Sequence, residues 1–182
     1  SGRIQRLINA AKATIEGIEI ETRINITDQF SIQGSLGYTD AGFDEFLGFD
    51  ADGVRGYDPV TDPAAAAALK FERVPELTYN IMANYFQPLS NGAEIDFRLA
   101  YSYTDDFTND ALGTRAIITD SYGLLDASVS YTFAGSGLKL TVFGKNITDE
   151  DYHDFALDNA LTSLTWGGVP DTYGLRLTYS FE

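Results

Sequence analysis

Apolar and polar residues alternate with period two in about seven stretches of this chain. Ile18, Ile20, Thr22, Ile24 and Ile26 alternate with Glu19, Glu21, Arg23 and Asn25. Phe30, Ile32, Gly34, Leu36 and Tyr38 alternate with Ser31, Gln33, Ser35 and Gly37. The pattern returns over Leu77–Tyr85, Ala93–Tyr103, Leu125–Phe133 and Leu138–Val142, where it blurs at Phe143-Gly144. It returns last over Tyr173, Leu175, Leu177, Tyr179 and Phe181, with Gly174, Arg176, Thr178 and Ser180 between them. Successive side chains of a strand point to opposite sides, so each stretch predicts a strand with one greasy and one wet face.

Two features separate a membrane barrel from a soluble sandwich, whose strands alternate as well. The wet face carries full charges, among them Glu19, Glu21, Arg23, Glu94, Asp96, Arg98, Asp126, Lys139 and Arg176, and must meet water. The apolar face is almost free of charge and rich in Tyr and Phe. The connections also alternate in length. Thr27-Asp28-Gln29, Pro88–Gly92 and Ala134–Gly137 are tight, whereas Asp40–Arg73, Asp105–Ser121 and Thr148–Pro170 are long. Short turns at one end and long loops at the other are the outer-membrane pattern. The predicted fold class is therefore all-β, an antiparallel transmembrane β-barrel segment of about seven to eight strands.

Composition narrows the function classes. No run approaches the ~20 apolar residues of a spanning helix. There is no cysteine, which excludes disulfides and thiolate metal sites. With 27 acidic against 12 basic residues the net charge is −15, which argues against a nucleic-acid partner. No nucleophile elbow accompanies His153, the single histidine, so no enzyme is expected.

Seven strands leave open edges, which lipid does not tolerate. Ile4–Ile8 reads as the end of an additional strand, which would make eight. A small closed barrel of that size, acting as porin, adhesin or lipid-modifying enzyme, is the alternative. The preferred reading takes residues 1–182 as the C-terminal portion of a larger barrel, with the export signal and earlier strands upstream.

Several motifs then point to one family. Asn9–Glu21 resembles the segment of TonB-dependent receptors in which an asparagine and small residues lead into a Gly-hydrophobic-Glu strand. Val74-Pro75 resembles their strand-opening pair, and Ser121–Asp126 the start of a late strand. Val142–Tyr152, with Asn146-Ile147-Thr148-Asp149, is similar to their penultimate-strand signature. Gly167–Leu175 is similar to the approach to their final strand, with Asp171 where the family carries Arg. Tyr173, Leu175, Leu177, Tyr179 and Phe181 look like the C-terminal assembly signal of outer-membrane barrels, with Glu182 added after the aromatic.

The resemblance implies a 22-stranded barrel filled by an N-terminal plug. It implies active uptake of a scarce nutrient across the cell outer membrane, a ferric siderophore first, with cobalamin, nickel complexes and oligosaccharides also open. Partners implied are outer-membrane lipid, the barrel assembly machinery, a small-molecule ligand such as a metal chelate, and the TonB energy-transducing complex through the plug. No cofactor is implied. Phe181 would lie at the periplasmic rim and the long loops outside.

Site candidates in the loops are Tyr152, His153, Phe155 and Trp166, around the last long connection. Aromatics there suit ligand contact or interfacial anchoring. His153 has Asp149, Asp151 and Asp154 nearby, yet a lone loop histidine is ordinarily solvent-exposed. Asp50-Ala51-Asp52-Gly53 has part of a calcium-loop pattern without its remaining ligands, and a solvated acidic loop accounts for it. Asp62-Pro63 followed by Ala64–Ala68 predicts a capped short helix within the loop. Asn25-Ile26-Thr27 and Asn146-Ile147-Thr148 match the glycosylation sequon, which has no meaning in a bacterial host.

Overall fold

The computed structural model describes residues 11–46, 69–109, 118–158 and 163–181, and every regular element among them is a strand. The strands are β1 (Ala11–Asn25), β2 (Phe30–Phe46), β3 (Leu77–Pro88), β4 (Glu94–Thr104), β5 (Phe107–Thr108), β6 (Ile118–Thr119), β7 (Tyr122–Thr132), β8 (Leu138–Lys145), β9 (His153–Asp158), β10 (Ser163–Gly167) and β11 (Thr172–Tyr179). Seven form one antiparallel meander, β1-β2-β3-β4-β7-β8-β11, in chain order. β5-β6 and β9-β10 are separate hairpins set into two of the long connections.

The register aligns the alternation of neighbouring strands. Phe30, Tyr85, Phe97, Val129, Val142 and Leu175 are successive partners across six strands, and Ser31, Asn84, Arg98 and Ser128 form the adjacent polar row. A slip of one residue anywhere would send a whole strand's apolar set to the wet side. The apolar face is bare even on interior strands: Ile81 is 50% exposed and Leu99 49%. A water-soluble sheet does not present such a surface, whereas lipid covers it. The polar face is concave, since residues of β1, β4, β8 and β11 line one hollow upon it.

β1 and β2 run to 15 and 17 residues, longer than the roughly 9–11 needed to cross a bilayer. The excess is long enough to project beyond the membrane, and the polarity of both faces changes along it. Toward the turn, Ile18, Ile20 and Ile24 with Leu36 and Tyr38 share the lipid face. Beyond Gly17 the same face carries Glu16, Thr14, Asp40 and Asp44, and Thr14 Oγ1 donates to Asp44 Oδ2 over 2.9 Å. The inward face reverses too, from Glu19 and Glu21 to Ile15, Ala41 and Phe43. Polarity therefore flips across the hairpin between Ile18 and Glu16, and again between Tyr38 and Asp40. At Gly17 a Cβ would stand 2.6 Å from the Tyr38 carbonyl oxygen, so the backbones approach too closely there for any side chain.

The three tight turns carry their own chemistry. Thr27 Oγ1 accepts from the amides of Gln29 and Phe30, and Asn91 Oδ1 accepts from Ala93. Ser136 Oγ donates to the Phe133 carbonyl and accepts from Leu138, between Gly135 and Gly137 at positive φ. Hydroxyl and amide side chains that bond their own backbone are what short turns select.

Several expected boundaries move. β1 begins at Ala11 rather than Ile18, and β2 continues to Phe46, so the start of the Asp40–Arg73 connection is strand. Polarity inversion hides this extension, because a fixed apolar phase ends at Ile18 and Tyr38. The last connection, Thr148–Pro170, contains β9-β10, and Asp105–Ser121 contains the short pair β5-β6. The expected strand end at Ile4–Ile8, the acidic Asp50–Gly53 and the helix over Asp62–Ala68 lie outside the described residues.

Candidate functional site

At the long-loop end, three connections meet at Arg73. Its backbone is left-handed at φ 58, its N–H donates to the Thr108 carbonyl over 2.8 Å, and its guanidinium lies 5.4 Å from the Phe155 ring centre. One residue thereby joins the segment before β3 to both added hairpins. On β9-β10, Phe155 pairs directly with Trp166, ring centres 5.1 Å apart. Thr119 of β6 and Ala156 of β9 are buried where those strands pack together. Tyr152 stacks on Tyr122 at 4.3 Å, and its carbonyl accepts from Gly168 N over 2.7 Å. Its hydroxyl accepts from Val169 N over 3.2 Å, and Gly168 lies flat against the ring with no room for a Cβ. Phe43 and Phe71 stack at 4.3 Å on the inner side of the projecting hairpin.

Asn146 follows β8 and holds the last connection closed. It is 3% exposed, with φ 47. Its Nδ2 donates to the carbonyls of Glu150 (2.9 Å) and Val169 (3.1 Å), and its Oδ1 accepts from Glu150 N (2.9 Å). Its own N–H donates to Asp126 Oδ1 over 3.0 Å. Asparagine suits this position because its short amide tolerates a left-handed backbone and both donates and accepts. The Asn-Ile-Thr-Asp stretch is thus a turn with a buried polar clamp.

Of the four loop candidates, Tyr152 and Phe155 are half-buried in these contacts, while His153 and Trp166 are exposed. His153 opens β9 opposite Gly167. Among the described residues no three His, Asp or Glu side chains gather to hold a metal. Sequence reasoning missed Arg73, Tyr122 and Asp126 in this layer. Only Asp126 carried a signal, a carboxylate on a wet strand face.

The inward wall toward the turns is a hollow of about 650 Å³. Arg23, Arg98, Lys139 and Arg176 line it, with Asp28 and Asp96. Lys139 Nζ donates to Asp96 Oδ2 over 3.2 Å, and Ser130 and Thr141 share a 2.8 Å hydrogen bond. Arg176 rests 5.4 Å from the centre of Phe143.

β11 closes the sheet at one edge. Tyr173, Leu175, Leu177 and Tyr179 stand opposite Gly144, Val142, Leu140 and Leu138 of β8. Ser180 N donates to the Gly137 carbonyl over 2.9 Å, and Phe181 makes an edge-on contact with Tyr179 at 4.7 Å. Phe181 is 87% exposed, the most open of the large apolar side chains among the described residues.

A model of the family "TonB dependent receptor-like, beta-barrel" matches residues 1–147. The chain belongs to the TonB-dependent receptor family. It is an outer-membrane β-barrel protein, and its antiparallel wall is the fold expected from the alternation. The receptor wall is similar to the ferric yersiniabactin uptake receptor FyuA of Yersinia pestis, at TM-score 0.76 and 17% identity over 96% of this chain and 24% of that one. It is similar to the siderophore receptor PiuA of Acinetobacter baumannii, at TM-score 0.70 and 16% identity over 93% and 22%. It is also similar to the ferric-catecholate import receptor Fiu of E. coli, at TM-score 0.65 and 20% identity over 92% and 21%. The chain spans about a quarter of the length of these solved structures.

Proposed function

We propose that the chain is the C-terminal part of an outer-membrane receptor for TonB-dependent uptake, with ferric siderophores as its cargo. Family membership over residues 1–147 is the observation that carries this reading. The three similar structures are described as a ferric yersiniabactin uptake receptor, a siderophore receptor and a ferric-catecholate import receptor, which supports iron chelates over other nutrients. On this reading the earlier strands and a plug domain lie outside these residues, and the plug engages the energy-transducing complex. The chain's part is to supply lipid-facing wall, a wet inner surface and an outer layer of loops. Trp166 and His153, exposed beside the Arg73–Phe155 contact, are the loop side chains best placed to touch arriving ligand.

The test is uptake of radiolabelled solutes by cells expressing the full-length receptor as their sole candidate importer. Ferric chelates, cobalamin and a maltooligosaccharide are compared with and without a protonophore. The reading expects accumulation of at least one ferric chelate that the protonophore abolishes. Energy-independent entry of all solutes would instead describe a porin.

A further inference from the structure

Two strands of the wall finish on the same five-residue pattern. The chain passes through Val129-Ser130-Tyr131-Thr132-Phe133 at the end of β7 and through Leu177-Thr178-Tyr179-Ser180-Phe181 at the end of β11. Each reads aliphatic, hydroxyl, Tyr, hydroxyl, Phe. The rings also meet alike. Tyr131 and Phe133 are edge-on, with centres 4.8 Å apart and planes at 81°, and Tyr179 and Phe181 are edge-on at 4.7 Å and 88°. Among the described residues no other ring pair is edge-on. Both strands run from the loop end to the turn end, with β8 between them. Tyr131 stands opposite Leu140, which stands opposite Leu177, so the pair on β11 sits two residues nearer the turn-side rim. The pair on β7 looks outward from the middle of the sheet, where Ile95 of β4 and Leu140 of β8 flank Tyr131.

The other strands that run this way lack the pattern. β3 approaches the same rim as Ala83-Asn84-Tyr85-Phe86-Gln87, and β1 as Thr22-Arg23-Ile24-Asn25-Ile26. An interfacial girdle needs rings at the lipid boundary, on any strand and in either order. It does not need one order repeated on two strands, nor hydroxyls between the rings. Earlier along their wet faces β7 carries Asp126 and β11 carries Arg176, but from Val129 and Leu177 onward those faces hold only Ser and Thr. A strand of this composition docks on a partner's sheet edge without desolvating a charge. Main-chain hydrogen bonds give such docking its affinity, and two rings roughly 7 Å apart on one face give it specificity.

We propose that Val129–Phe133 is a second copy of the recognition element on β11, read on the unfolded chain by the machinery that inserts outer-membrane barrels. The assignment rests on β11 acting as an assembly signal. It concerns how the receptor is built and is independent of its cargo. Between β8 and β11 lie residues 146–171, which carry the β9-β10 hairpin to the loop end. A hold on β7 keeps the β7-β8 pair engaged while that connection is passed outward.

The test offers urea-unfolded full-length receptor to empty liposomes and to liposomes holding the purified assembly complex. The heat-modifiable fraction is followed in time. Three double variants are compared: Tyr131→Leu with Phe133→Leu, Tyr179→Leu with Phe181→Leu, and Tyr85→Leu with Phe97→Leu. The third removes two rings of the same lipid face that touch across strands, at 6.2 Å and 43°, and so measures anchoring alone. The proposal expects the first two variants to lose about fivefold or more of the complex's acceleration, with folding in empty liposomes changed by less than about twofold. The third should keep the acceleration. An equal slowing of the β7 variant in both kinds of liposome, or a third variant that loses as much acceleration, means that the rings act as anchors and overturns the proposal. A β7 variant assembled by the complex at the unsubstituted rate also overturns it, whether or not the β11 variant is slowed.

Discussion

Phe143 on β8 stands opposite Gly174 on β11, and its ring occupies the place where a Cβ of residue 174 would lie. One step along, on the other face, Tyr173 covers Gly144 in the same way. The two aromatic–glycine pairs lock β11 to β8 from both sides. An aromatic laid across a cross-strand glycine restores the packing that glycine lacks. The pairs also account for the blurred alternation at Phe143-Gly144, where an aromatic faces inward and a glycine outward.

Alanine at these glycines should therefore act unequally. In Gly174→Ala the Phe143 ring can swing aside, at a cost of about 1 kcal/mol. In Gly144→Ala the new methyl meets both Tyr173 and Ile147 at a buried position, and overpacking should cost about 1–3 kcal/mol. Urea unfolding of the full-length receptor in vesicles gives both values. A larger loss for Gly174→Ala would contradict the packing order.

The lipid face can be probed with charge. Leu99 and Val129 are exposed on the apolar side, and Ser128 is on the inward side. Arg at Leu99 or Val129 should cost roughly 2–4 kcal/mol near the midplane. Ser128→Arg keeps its charge in water and should cost well under half of that, even beside Arg98. Equal penalties in bilayer folding assays would sink the assignment of faces.

Much of this was legible in the sequence, for a physical reason. Lipid on one side and water on the other impose the alternation, so the seven wall strands and their tight turns follow from period two alone. The projecting half of β1-β2 was not legible, because Glu16 and Asp40 invert the phase once water lies on both sides of the strand. Arg73 was not legible either. Its importance comes from Thr108 and Phe155, residues distant along the chain and brought together only by the fold. Asn146 was visible as a motif, but its hydrogen bonds to Glu150 and Val169 were not.

Asn146→Ala removes a buried amide with three hydrogen bonds and leaves a left-handed backbone without its preferred residue. A loss of about 2–4 kcal/mol is expected, confined to the last connection. Hydrogen exchange should quicken in Glu150–Val169 while β3 and β4 keep their protection. Uniform acceleration across the sheet would mean that Asn146 is not a local clamp.

The C-terminal strand should govern assembly through its alternating face. Phe181→Ala removes the aromatic packed edge-on against Tyr179, and exchanging Tyr179 with Ser180 moves an aromatic to the wet face. Both should sharply lower the heat-modifiable, membrane-inserted receptor in cells. Normal levels for both variants would remove β11 as the assembly signal.

Lipid should end where polarity inverts, between Ile18 and Glu16 on one strand and between Tyr38 and Asp40 on its neighbour. Spin labels on single cysteines at each position from Lys12 to Asn25, in the full-length receptor in bilayers, measure this directly through oxygen and nickel-chelate accessibility. Ile18, Ile20, Thr22 and Ile24 should be oxygen-accessible and shielded from nickel, with Glu19, Glu21 and Arg23 out of phase. At Glu16 and Thr14, on the same strand face as Ile18, nickel accessibility should dominate. Lipid-type accessibility continuing through Glu16 to Lys12, or no period of two between Ile18 and Ile24, would mean that the membrane boundary does not lie at Gly17.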